Sequence, residues 1–99
     1  MGNSQTVNIH NDSDCHCTLE VQCRGNTQIL HGQDMAIAPR SSTRIKLLPN
    51  SHSDSWTKLS IIIIVNGISR TPRIDISPDI YIGVKHGKIV VDRSPIEEE

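Results

Sequence analysis

Cys15, His16 and Cys17 stand together near the start of the chain, and thiolates with an imidazole are zinc ligands. Their setting argues against a metal. No C-x₂-C pair and no second cluster supplies the remaining ligands. Cys15, Cys17, Leu19, Val21 and Cys23 alternate with His16, Thr18, Glu20, Gln22 and Arg24. A strand of that pattern sends the thiols to one face with Leu19 and Val21, and His16 to the other. Free cysteine packs there as a small hydrophobe. No metal site and no cofactor is expected.

Asn11-Asp12-Ser13-Asp14, with Asp54 or Asp79 from other loops, offers oxygen ligands for calcium. It lacks EF-hand spacing, and its residue types are those that form turns through their own backbone. Ser51-His52-Ser53-Asp54-Ser55 contains the residue types of a hydrolytic triad. A triad draws its members from separate elements around a buried orienting group, whereas this run is one contiguous polar loop. G-x-S-x-G, H-E-x-x-H, P-loop and C-x-x-C signatures are all missing, so no enzyme is expected. His52, Asp54 and Trp56 are the candidates for one shallow sugar site, a polar pair beside a stacking ring. Arg40, Arg44 and Lys46 form the one close basic cluster, which could meet phosphate, anionic lipid or a kinase but fits a solvated strand entry better.

The first six residues, Met1-Gly2-Asn3-Ser4-Gln5-Thr6, fit the M-G-x-x-x-[ST] pattern of N-myristoylation at Gly2. One acyl chain gives only marginal membrane binding, with K about 10⁴ M⁻¹, and no polybasic run adjoins it. The start lacks the basic flank and apolar core of a secretory signal, and three cysteines do not pair evenly. A cytoplasmic setting with free thiols is therefore expected, with a membrane surface as a partner if Gly2 is acylated.

Elements must position these residues, and composition limits which elements they are. The chain has 99 residues, a formal net charge of −1, one Trp, one Tyr, no Phe and fifteen Ile. It is long enough for one core. A near-neutral chain lacks the electrostatic footprint of a nucleic-acid binder, and two aromatics cannot form a stacking platform for bases. No helical apolar period persists for two turns. Period-2 alternation and short apolar runs recur instead, broken by Gly, Asn, Asp, Ser and Pro about every ten residues. The expected fold is an all-β antiparallel sandwich or flattened barrel of seven to eight short strands. Residues 1–5 read as a polar leader, 6–92 as a single domain and 93–99 as an acidic, disordered tail. Gly25-Asn26 suits a hairpin between the second and third strands, and His86-Gly87 one between the last two.

Ile61-Ile62-Ile63-Ile64-Val65 is the most apolar run, and Asn66-Gly67 after it is a strong type I′ hairpin signal. That turn sets Val65 opposite Ile68, Ile63 opposite Arg70 and Leu59 opposite Ile74. Pro72 cannot donate to a ladder, so its strand must lie at an edge or bend. Ile61, Ile63 and Val65 then face the core. Ile62 and Ile64 turn away, beside Thr71 and Ser69. Two exposed isoleucines in an uncharged strand are an aggregation hazard unless something covers them. A loop or terminal segment of the same chain could supply the cover as well as a second copy; the preferred reading makes Ile62, Ile64, Ser69 and Thr71 the expected interface of a homo-oligomer. The cadence Val7-x-Ile9-x-Asn11-x-Ser13, with Pro39-Arg40-Ser41-Ser42 before Ile45-x-Leu47, resembles many small β-sandwich lectins, toxins and adhesion modules. The functional expectation is a non-enzymatic binding and assembly module. A lectin-like carbohydrate-binding module and a peripheral lipid-binding protein are the alternatives, and nucleic acid is not an expected partner.

Overall fold

Cys17, Leu19 and Val21 are buried while Thr18, Glu20 and Gln22 are exposed, so the alternation written in the sequence is the alternation of the fold. In the computed structural model, which describes residues 5–22, 27–31, 34–49, 58–75 and 77–96, the chain is all β, with no helix among those residues. Ten strands follow in order: β1 (Gln5–Asn11), β2 (Cys17–Gln22), β3 (Thr27–His31), β4 (Asp34–Ile37), β5 (Ser42–Pro49), β6 (Lys58–Val65), β7 (Ile68–Arg70), β8 (Arg73–Asp75), β9 (Asp79–Lys85) and β10 (Lys88–Asp92). The first sheet has the order β10-β9-β1-β5-β3. The second has the order β4-β2-β6-β7, with β8 also paired to β6.

Both sheets contribute to one core. Val7, Ile9, Ile45, Leu47, Ile80, Ile82 and Ile89 come from the first, and Cys17, Leu19, Val21, Ile37, Leu59, Ile61, Ile63 and Val65 from the second. β-Branched side chains suit these positions because they fill a pleated surface with few rotamers to lose.

The long hairpin has the expected register. Asn66 and Gly67 hold φ of 51° and 79°, the left-handed pair a type I′ turn requires. Val65 pairs with Ile68, Ile64 with Ser69 and Ile63 with Arg70; beyond the break, Ser60 pairs with Arg73, Leu59 with Ile74 and Lys58 with Asp75. Pro72 divides the return strand into β7 and β8 without shifting that register, and its carbonyl still accepts from the Ile61 N–H at 3.2 Å. His86 and Gly87, with φ of 53° and 73°, turn β9 into β10 in the same way.

The all-β, two-sheet fold is as expected, and Pro72 helps raise the number of strands among the described residues to ten by splitting one. Three expectations are corrected. β2 and β3 form no hairpin: β2 pairs with β4 and β6, and β3 pairs with β5. One pairing is parallel, β1 with β9, because the chain crosses from β8 in the second sheet to lay β9 alongside β1 in the first. Residues 93–96, read as part of the tail, return to the sandwich. Ile96 is half-buried, and its N–H donates to Asp12 Oδ2 at 3.0 Å. A Cβ on Gly83 would meet Ile96 Cγ2 at 2.9 Å, so the absence of a side chain at Gly83 makes room for Ile96. No described helix is long and apolar enough to cross a membrane.

Candidate functional site

Two outer faces and one end of the sandwich carry the candidate residues. On the outer face of the second sheet, Ile64 is 43% exposed and Ile62 is half-buried, with Ser69 and Thr71 exposed beside them. Asp34 and Ala36 of β4 and Thr18 and Glu20 of β2 complete this face on one side. Arg73 of β8, the cross-strand partner of Ser60, flanks it on the other. The expected interface residues are therefore brought together. Gly2, His52, Asp54 and Trp56, the expected lipidation site and sugar loop, lie outside the described residues, as does Cys23.

The cysteine cluster disperses. Cys17 is fully buried between the sheets, and burial pushes its thiol up to about 11. Cys15 is half-buried in the bend before β2 and packs against the core, and His16 is exposed. Cys15 is not in the strand the alternation assigned it, because Asn11 and Ser13 fold the preceding turn inward. Thiolate is the reacting species, so a thiol held protonated and out of solvent is inert. Iodoacetamide at mildly alkaline pH should leave Cys17 unmodified in the folded chain and alkylate it in urea; alkylation of Cys17 at equal rates in both states would contradict its burial.

The acidic turn is also committed to the protein. Asp14 Oδ1 accepts from Arg40 Nε at 3.0 Å and lies 2.9 Å from Arg40 Nη2, and Asp12 holds the Ile96 N–H. Asn11 is fully buried. Its Nδ2 donates to the carbonyls of Cys15, Ile37 and Ala38 at 2.8, 3.1 and 3.2 Å, and its Oδ1 accepts from Ser13 N and Oγ at 3.0 and 2.6 Å. Among the described residues no group of three or more His, Cys, Asp or Glu is placed to hold a metal. Beside this turn a cavity of about 250 Å³ opens at the end of the sandwich, where the partly exposed Ile68 and Val84 meet Val65, Ile96 and Cys15.

The outer face of the first sheet holds an arrangement that the sequence reading missed. His10, Ser42 and Asp79 come from β1, β5 and β9, three neighbouring strands. His10 Nδ1 lies 2.6 Å from Ser42 Oγ, and His10 Nε2 lies 2.9 Å from Asp79 Oδ1. The imidazole stacks on Tyr81, with ring centroids 4.4 Å apart and planes 15° from parallel. Asn8 Nδ2 donates to the same Asp79 oxygen at 3.4 Å. The separations along the chain, 32 and 69 residues, hide this group from any local motif. Comparison of the chain with protein-family models, with curated proteins and with solved structures found no match in any of the three.

Proposed function

We propose that the protein is a non-enzymatic assembly module that pairs with a second copy of itself through the outer face of the second sheet. The observation that carries this reading is the exposure of Ile64 beside Ile62 at the middle of that face, between flanks of opposite charge. Asp34 and Glu20 stand on one side; on the other Arg73 stands beside Asp75, whose charge is met by Arg93 at 2.8 Å, so that flank keeps a positive balance. A two-fold axis along β6 lays the acidic flank of one copy over the basic flank of the next and brings the isoleucines together. An axis across the strands would oppose like charges, so the face itself selects the first arrangement. Four strands about 4.8 Å apart and some six residues long make a face of about 19 by 20 Å. That falls below the standard size of stable interfaces and in the range of weak, transient ones, so pairing should depend on concentration. An acyl chain on Gly2 would add a membrane surface as a further partner.

Sizing with light scattering under reducing conditions tests the pairing. The wild type should move from monomer to dimer as concentration rises, and Ile62→Lys with Ile64→Lys should stay monomeric. Arg73→Glu should weaken the dimer, and Arg73→Glu with Glu20→Arg should restore it. A wild type that is monomeric at the highest attainable concentration, or a lysine variant that dimerises as before, removes the proposal.

A further inference from the structure

The Ser42–His10–Asp79 group lies on the face opposite the proposed interface and has a chemistry of its own. A carboxylate can only accept, so His10 Nε2 must carry a proton and donate it to Asp79 Oδ1 at 2.9 Å. In the neutral ring Nδ1 is then a bare acceptor, and it faces Ser42 Oγ at 2.6 Å. The tautomer is set by the carboxylate, and it is the one that can take the serine proton. The ring is also held in place. It stacks on Tyr81, and His10 and Ser42 are directly opposed partners in the β1–β5 ladder. Asp79 is less enclosed than the buried carboxylate of a hydrolytic triad, its side chain being 45% exposed, and it accepts one further long bond from Asn8 at 3.4 Å; Ser42 is exposed. A hydroxyl activated in this way and open to solvent is a nucleophile.

We propose that Ser42 is a site of covalent acylation by small activated esters and thioesters, with His10 as its general base and Asp79 as a positioning residue. Ser42 Oγ forms a bond to the acyl carbon as its proton passes to His10 Nδ1. The bond from that carbon to the leaving oxygen or sulfur breaks. The leaving group departs with the electron pair and takes the proton back from His10, giving an acyl-serine and a free alcohol, phenol or thiol. The site is an open sheet face, so it accepts small activated donors with little selection among acyl groups.

The test uses the full-length chain with p-nitrophenyl acetate, acid quenching and peptide mapping of acetylated serine. Ser41, adjacent but half-buried with its Oγ donating to the Pro39 carbonyl at 3.2 Å, is the internal reference for a hydroxyl without a base, and the His10→Gln variant separates activation from the greater exposure of Ser42. Ser42 should be acetylated about 100-fold faster than Ser41, the low end of what a positioned general base contributes. His10→Gln should bring Ser42 down to the rate of Ser41. Asp79→Asn should lower it at least about tenfold, and Asp79→Glu should recover part of the loss at an unchanged melting temperature. The wild-type ratio needs no variant to fold. Equal rates at Ser42 and Ser41, or a Ser42 rate that His10→Gln leaves unchanged in a folded chain, overturns the proposal.

Discussion

Asn11→Ala is expected to destabilise the protein by about 3 kcal/mol, enough to lower the melting temperature by some 15 °C in a domain of this size. The side chain is fully buried and is the polar centre of one end of the sandwich. Its amide joins carbonyls from the β1–β2 turn and from the end of β4, and its own carbonyl holds Ser13. Alanine removes all of these at once and leaves no group to replace them. Each net hydrogen bond is worth only about 1 kcal/mol, but a buried carbonyl or N–H left without a partner costs about 1–3 kcal/mol. Some of the freed groups will reach water at the cavity nearby, which is why the sum is set near the low end. Asn11→Asp should cost at least as much, because a second oxygen would face the carbonyls of Cys15, Ile37 and Ala38 in place of a donor. Thermal and urea unfolding of both variants measure this. A loss under about 1 kcal/mol for Asn11→Ala would mean that the turn is held by its backbone bonds instead.

Asn11 also shows where sequence reading stops. In Asn11-Asp12-Ser13-Asp14 every residue type favours a solvated turn, and the chain does turn there. Nothing local tells that Asn11 and Ser13 point inward while Asp14 points out to Arg40, because that depends on β4 and β5 arriving from residues 34–49. The hairpins at Asn66-Gly67 and His86-Gly87 were legible because a two-residue turn and period-2 alternation are local properties. Gly25-Asn26 carries a similar turn signal, yet β2 and β3 part to opposite sheets, since each finds a longer partner elsewhere. The site on the first sheet failed to appear for the same reason. His10 and Asp79 meet only because β9 runs parallel to β1, a crossover that composition does not encode. Ser51 to Ser55 are neighbours along the chain, whereas Ser42, His10 and Asp79 are neighbours only across the sheet. The apolar face was legible: Ile62 and Ile64 turn outward because an Asn-Gly turn leaves the strand no other register.

The outward turn of Ile64 also implies a sharp contrast with its neighbour. Ile63→Ala is expected to cost about 3 kcal/mol, and Ile64→Ala, measured at low protein concentration, less than about 0.5 kcal/mol. Both residues are isoleucine, both lie near the C-terminal end of β6, and both lose the same three carbons. Only Ile63 is fully buried, opposite Leu19 of β2, whereas Ile64 is 43% exposed beside Ser69. Truncating Ile63 forfeits the transfer free energy of its side chain and opens a hole between two sheets that cannot close on it without bending paired strands. Truncating Ile64 uncovers nothing and gives up only contacts with Thr18 and Ser69, its cross-strand neighbours. Strand propensity falls equally in the two variants, so it cancels from the difference. What is left is the identity of the buried face. Comparable losses in chemical denaturation would mean that the face of Ile62 and Ile64 is covered within the folded monomer. A difference of about 2.5 kcal/mol would leave that face as surface, open to a second copy.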